Sequence, residues 1–272
     1  MVHGLKHIKA TALLVPTLSL ALSLAAPARL GAQTPDFAWR GTVARGAKIE
    51  VKGVNGPIRA EPARGGEVEV RAFKTARRSN PDEVTFDVIT HAGGVTICAI
   101  YPSRSSHNVC GPGEQGRLSA NNNDVKVEFV VYVPEGVNLV ARTVNGNIEA
   151  HSIPGDISAR TVNGSIRLSA TGTATASTVN GSIVASLGRA EWQGTNVFKT
   201  TNGSITLEFP ATLGAELDAR TTNGSIDTDF PIQVQGRINR RQLTGVIGEA
   251  GGRRLEVRTV NGSIKLRRSA VS

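Results

Sequence analysis

The sequence predicts an all-β protein built as a β-solenoid of stacked coils of about twenty residues, with a less regular β section near the N-terminus. Three observations carry that expectation. Glycine is abundant at 30 of 272 residues and aromatics make up only 4 %, while Val, Thr, Ser and Asn recur in short runs between Gly and Pro, a composition of strands and turns. The phrase TVNGSI stands at 161–166, 178–183 and 259–264, inside a series of Asn-Gly pairs at Asn55, Asn145, Asn163, Asn180, Asn202, Asn223 and Asn261. From Asn145 to Asn223 the steps are 18, 17, 22 and 21 residues, the mark of stacked supersecondary units. Lastly, apolar or small residues alternate strictly on both sides of the pairs. Ile157, Ala159 and Thr161 lead into Asn163, and Ile166, Leu168 and Ala170 follow it, as half-buried strands require.

In chain order, residues 1–32 read as a secretory signal peptide. Lys6 and Lys9 precede the apolar run ATALLVPTLSLALSLAA, and small residues follow in APARLGA. Pro16 interrupts the run, which is short for a membrane span, and no second apolar stretch in the chain is long enough to cross a bilayer. Residues 33–272 then form a single β-solenoid domain. Its first corner is at Asn55, where Ile49, Val51, Ile58 and Ala60 keep the inward parity. Residues 65–135 are the irregular β section, with strands in EVEVRAF, EVTFDVITH, GVTICAIY and VKVEFVVYVP. This section carries Cys98 and Cys110, expected to pair as a structural disulfide in an exported protein. Residues 136–268 are the regular array.

Within each copy, parity places Thr and Asn inward, Gly supplies the positive φ of a corner, Ser points outward and Ile returns to the core. If coils stack about 4.8 Å apart, Asn145, Asn163, Asn180, Asn202, Asn223 and Asn261 form an amide ladder. Asn-Gly is also a strong hairpin signal, so an antiparallel meander is the competing geometry. The opposite strand ends, SATGTATAS, SLGRAEWQGTNVFK and FPATLGAELDA, differ in length and composition, which a solenoid tolerates and a regular meander does not.

The run YVPEGVNLVARTVNGNIEA, the successive TVNGSI copies and the closing GGRRLEVRTVNGSIKLRR resemble a bacterial family of exported β-strand-repeat proteins, labelled "putative adhesin", whose domain is of unknown function. The resemblance covers about residues 45–268. It implies a single-stranded, right-handed β-solenoid and a periplasmic, outer-surface or secreted location. It brings no catalytic residues and no cofactor with it.

The formal charge of +9 falls to +6 when Lys6, Lys9 and Arg29 leave with the signal segment. A basic exported chain suits anionic envelope or extracellular polysaccharide, or lipid phosphates; nothing specifies nucleic acid. Immediately before the corner Thr or Gly stand Lys52, Arg142, Arg160, Lys199, Arg220 and Arg258, with Ser177 between. Stacking would align them as an outward basic stripe able to grip a repeating polyanion, unless they only keep the sheet soluble. Chemistry is sparse. His91, His107 and His151 lack partners at metal-ligand spacing, and no nucleophile elbow, phosphate loop or zinc motif occurs. Asp227 and Asp229 point outward together and are the best material for the alternative, a lyase-like carbohydrate-active enzyme on a solenoid. Their neighbours one coil away, Thr206 and Lys265, supply no further acid. The expectation is therefore a non-catalytic scaffold without metal or cofactor. The Asn-Gly-Ser sequons are turn chemistry, since their Asn belongs to a corner. Lattice binding through a flat Thr array is disfavoured because the regular Thr column faces inward.

Overall fold

The computed structural model describes residues 34–103, 107–188, 192–234 and 239–269. The signal segment expected over 1–32 lies outside the described residues. The chain begins with β1 (Phe37–Gly41), β2 (Lys48–Lys52), β3 (Ile58–Pro62) and β4 (Val68–Thr75), then a short 3-10 turn at Pro81–Glu83. Next come β5 (Thr85–His91), β6 (Gly94–Ile100), β7 (Lys126–Val133), β8 (Asn138–Arg142), β9 (Ile148–Ile153), β10 (Ile157–Arg160) and β11 (Ile166–Ala170). The array continues through β12 (Ala174–Ser177), β13 (Ile183–Leu187), β14 (Thr195–Lys199) and β15 (Ile205–Phe209). It ends with β16 (Ala215–Asn223), β17 (Ile226–Thr228), β18 (Ile232–Val234), β19 (Gln242–Ile247), β20 (Arg254–Asn261) and β21 (Ile264–Arg268). No described helix is long and apolar enough to cross a membrane.

These strands form two sheets. The first has the order β1-β4-β7-β3-β9-β11-β13-β15-β21-β17, and the second β18-β19-β16-β20-β14-β12-β10-β8-β2-β6-β5. Each Asn-Gly corner joins a strand of the second sheet to one of the first, and neighbouring coils pair in parallel in both sheets. This is a solenoid and not a meander. Antiparallel pairing is kept for the ends, where β4 and β1 cover β7, β5 covers β6, and β19 with β18 covers β16.

The stack does not follow chain order. In space the coils run β6/β7, β2/β3, β8/β9, β10/β11, β12/β13, β14/β15, β20/β21, β16/β17. The first Asn-Gly coil is therefore inserted between the β6/β7 and β8/β9 coils, and the last beside a coil some sixty residues upstream, Asn261 bridging to Asn202. The core lies between the sheets. A file of Ile148, Ile166, Ile183, Ile205 and Ile264, all fully buried or nearly so, follows the corners in the first sheet, while the matching column of the second runs Val51, Ala141, Ala159, Ala176, Phe198, Val257 and Ala219.

The corner phrase resolves into separate jobs. Thr143, Thr161, Thr178, Thr200, Thr221 and Thr259 are buried at 2–6 % exposure, and each hydroxyl donates to the corner Gly carbonyl of an adjacent coil. Thr178 reaches Gly164 O at 2.9 Å, Thr259 reaches Gly203 O at 2.8 Å and Thr221 reaches Gly262 O at 2.7 Å. The Asn amides form an unbroken ladder, Nδ2 donating to the next Oδ1 at 2.7–2.8 Å from Asn145→Asn55 through Asn163, Asn180, Asn202 and Asn261 to Asn223→Asn261. Asn55 ends the ladder by donating to Asn123 O at 3.4 Å.

Two expectations are corrected here. The amides of the regular array are exposed, not inward, because alternation stops at the Thr: the next two residues occupy a convex seam between the sheets with no layer opposite to bury them. Val162, Val179 and Val260 emerge there too, at 37–41 % exposure. Nor do the corner glycines generally need positive φ. Gly56 alone among the corner glycines adopts it. The others are required by close approach: a Cβ on Gly164, Gly181, Gly203, Gly262 or Gly224 would lie 2.0–2.1 Å from the carbonyl oxygen of the neighbouring corner Gly. Outside the Asn ladder runs a weaker one, each Ser N–H donating to the Ser hydroxyl of the adjacent coil at 3.2–3.4 Å across Ser165, Ser182, Ser204, Ser263 and Ser225.

Candidate functional site

The parallel register fixes the outer face of the second sheet. Lys52 is level with Arg142, Arg142 with Arg160, Arg160 with Ser177, Ser177 with Lys199, Lys199 with Arg258 and Arg258 with Arg220. The six cations occupy one column, in spatial and not chain order. Strand spacing of about 4.8 Å would make so close a row repulsive, and the structure answers this with acids on the same face.

At the C-terminal end, Asp218, two residues before Arg220, bonds it at 2.8 Å and Arg258 at 3.4 Å. Glu256, two residues before Arg258, reaches Arg258 at 2.7 Å and Lys199 at 3.1 Å. At the other end, Glu114 from the disulfide-bearing loop bonds Arg142 at 2.5 Å and lies 3.5 Å from Arg160. The Arg142 hydrogen bond and charge hold the Glu114 carboxyl below the usual carboxylate range.

Lys52 leaves the exposed part of the column altogether. It is 7 % exposed, and its ammonium is capped by the carbonyls of Gly111, Gly113 at 2.6 Å and Gln115 at 3.0 Å. Burial lowers its pKa, an effect partly offset by Glu50. The outward parity of Lys52 is real, but the loop anchored by the Cys98–Cys110 disulfide folds over it.

The same loop buries Glu50. This carboxylate has no solvent exposure. It accepts from Thr96 Oγ1 at 3.0 Å and from Gly113 N at 2.8 Å, and pairs with Arg142 Nε at 3.1 Å and Lys52 at 3.9 Å. His91 joins the network: Gly93 N–H donates to Nδ1 at 3.1 Å, which leaves Nε2 to donate to Thr96 Oγ1 at 3.1 Å. A carboxylate with two cations and two hydrogen bonds is a structural pin between loop and sheet.

Glu50, Asp218 and Glu256 were within reach of sequence reasoning, because each stands two residues before a stripe cation and so shares its face. Glu114 was not, since no periodicity places a loop residue over a strand. Arg241 also escaped the repeat pattern; it stands in the turn just before β19 and lies beside the column.

On the first sheet, Asp227 is level with Lys265, and Thr206 follows one coil further. Arg267 clamps both acids, at 2.6 Å to Asp227 and 2.9 Å to Asp229. The hydrogen bond from Arg267 lowers the Asp227 pKa. The pair is thus spent on one guanidinium. Among the described residues no group of three or more His, Cys, Asp or Glu is arranged to hold a metal ion.

No curated protein matches the chain. Of solved structures, it is similar to a "putative cell adhesion protein" from Clostridium sporogenes, 13 % identical with a TM-score of 0.48 over 87 % of this chain and 100 % of that one. It is also similar to a "putative adhesin" from Bacteroides fragilis, 11 % identical with a TM-score of 0.29 over 86 % of this chain and 96 % of that one. Residues 160–267, from the end of β10 into β21, match the family model described as Toastrack DUF4097, and it is with this family, over the repeat array, that the resemblance of the chain is established.

Proposed function

We propose that this is a non-catalytic, exported β-repeat protein, an adhesin or envelope-binding scaffold, whose outer basic column contacts anionic polymers such as acidic polysaccharide or lipid phosphates. Export rests on the signal-like residues 1–32 and agrees with the disulfide; the mature chain from residue 33 acts as one solenoid unit in the periplasm, at the outer surface or outside the cell. The observation that carries the reading is the row Arg160, Lys199, Arg258, Arg220 on one face, with side-chain exposures of 62, 45, 47 and 49 %. A row of cations one or two strand spacings apart on a fixed sheet offers a repeating polyanion a repeating partner. The companion acids offset part of the column's charge at rest and leave it net positive, so binding competes with internal ion pairs and is sensitive to salt.

The test is retention of the mature chain on an immobilised anionic polysaccharide across a salt gradient. Arg160→Ser and Arg258→Ser should each elute earlier than wild type. Unchanged elution of both would end the proposal. The lyase-like alternative is the weaker reading, because Asp227 and Asp229 are both engaged by Arg267. Turnover of an acidic glycan that disappears in Asp227→Asn would reinstate it.

A further inference from the structure

The basic column has two sides, and they are chemically different. Toward the loop ends of the strands, Asp218 and Glu256 line a groove together with the cations. Toward the corners lies a second cleft of about 500 Å³, walled by Lys199, Arg220, Arg258 and Arg241 with Asn239 and Gln242, and no carboxylate lines it. The register fixes this arrangement: Lys199, Arg258 and Arg220 stand on adjacent strands, and Gln242 faces Arg220 across the antiparallel pair.

Arg241 completes the cleft. Its carbonyl accepts from Thr221 N at 2.8 Å and its N–H donates to Asn239 Oδ1 at 3.0 Å, so its backbone is fixed on both sides. Its guanidinium makes no ion pair or hydrogen bond among the described residues. Among the described residues the four cations share only Asp218 and Glu256, which leaves an excess of two positive charges. Donors remain as well. Arg220 engages Asp218 through Nε, and Arg258 uses Nε and Nη2, so most of their five N–H groups are available.

We infer that this cleft is a phosphate-binding site. A phosphomonoester carries between one and two negative charges near neutral pH and three acceptor oxygens, which matches the doubly positive, donor-rich wall better than a singly charged carboxylate does. Arginine provides the fitting geometry. The inference rests on the proposed anion-contacting column and narrows its ligand to a phosphate, carried by a lipid headgroup or by a soluble phosphorylated polymer.

The experiment titrates the mature chain with inorganic phosphate by calorimetry. It also measures co-sedimentation with phosphatidylcholine vesicles containing or lacking phosphatidate. Arg241→Ser should weaken phosphate binding about tenfold, Arg241→Lys should weaken it less, and Arg160→Ser, outside the cleft, should leave it unchanged. Both Arg241 variants should unfold like wild type, since the side chain is exposed and makes no ion pair or hydrogen bond among the described residues. Co-sedimentation that needs phosphatidate and is competed by phosphate assigns the lipid source; phosphate binding without it assigns the soluble one. Absence of phosphate binding, or binding indifferent to Arg241→Ser, overturns the site. In that event early elution of Arg160→Ser from anionic polysaccharide would still stand for the broader column, so the two readings fail separately.

Discussion

Replacing Gly181 by alanine tests whether the corner glycine is a packing requirement. The new Cβ would lie 2.1 Å from Gly164 O and 2.5 Å from Gly164 C. Ordinary contact begins near 3.4 Å, so the coils must part by about 1.3 Å at that point. Four bonds cross the same seam: Asn180 Nδ2 to Asn163 at 2.8 Å, Asn180 N to Val162 O at 2.8 Å, Thr178 Oγ1 to Gly164 O at 2.9 Å and Gly164 N to Asn180 O at 3.0 Å. Opened by that much, each passes the length at which a hydrogen bond is meaningful. At about 0.5–1.5 kcal/mol apiece the loss is roughly 2–6 kcal/mol, relieved somewhat by local relaxation, so about 3 kcal/mol is expected. For a domain of this size that is a fall in Tm of roughly 10 °C. Thermal and urea unfolding followed by circular dichroism would read it, beside Gly65→Ala, whose Cβ meets nothing within 4 Å. If Gly181→Ala proves as stable as Gly65→Ala, the account of the corner is wrong.

Asn180→Ala removes two rungs of the ladder, but these are solvent-exposed, and a loss of about 1 kcal/mol is expected by urea unfolding. Thr178→Val costs more for a single bond, about 1–2 kcal/mol, because it strips a buried hydroxyl from Gly164 O, and Thr178→Ser should recover most of it. Glu114→Gln frees Arg160 and leaves Arg142 with Glu50 alone, so the variant should stay on an anionic polysaccharide to higher salt than wild type. The folded Glu114 carboxyl titrates below its unfolded value, so its contribution is full above the ordinary glutamate range and is lost as pH falls through the lowered value. Glu114→Gln should therefore flatten part of the acid-side decline in stability. Replacing Cys98 and Cys110 together by serine should cost about 2–4 kcal/mol and loosen the carbonyls that cap Lys52, which limited proteolysis of the loop would report.

Sequence parity located the sheets because every buried column obeys it: Ile157, Ala159 and Thr161 before the corner, Ile166, Leu168 and Ala170 after it, all buried. It failed one step later, at Asn163, because alternation describes a pleated strand and a corner is not one. The role of glycine was visible but its reason was not. A sequence reports that a side chain is missing; whether backbone freedom or a carbonyl 2.0 Å from the absent Cβ forbids it depends on the neighbouring coil. The basic column was legible as a row, since Arg142, Arg160, Arg220 and Arg258 hold the same place in each copy. Its partial neutralisation was half legible, through Asp218 and Glu256 at the same-face offset. The loop that brings Glu114 over Arg142 and roofs Lys52 was not, because a disulfide says that two points meet and nothing about what the intervening chain covers.

The order of coils exposes what a repeated corner leaves unspecified. Identical Thr, Asn, Gly and Ser contacts make each coil an equally good neighbour for any other, so the phrase fixes register and not sequence of stacking. Order comes instead from the ends. The chain runs from β16 through β17 and β18 into β19, which returns antiparallel along the free side of β16. That side is occupied before β20 and β21 are reached, so the last coil can pair only on the other side, where it also meets β14 and β15. The last coil is therefore a wedge joining two blocks, not a terminal addition. Truncation after Gly248 gives opposite results for the two cases. A sequential stack would lose its final coil and unfold at nearly the wild-type temperature. Here the shortened chain would leave the inner edge of β16 and those of β14 and β15 unpaired, with the core beneath them open. Early proteolysis of residues 214–247 and aggregation on heating are expected, and a soluble, cooperatively folded truncation of wild-type stability would show that the inserted coil is dispensable.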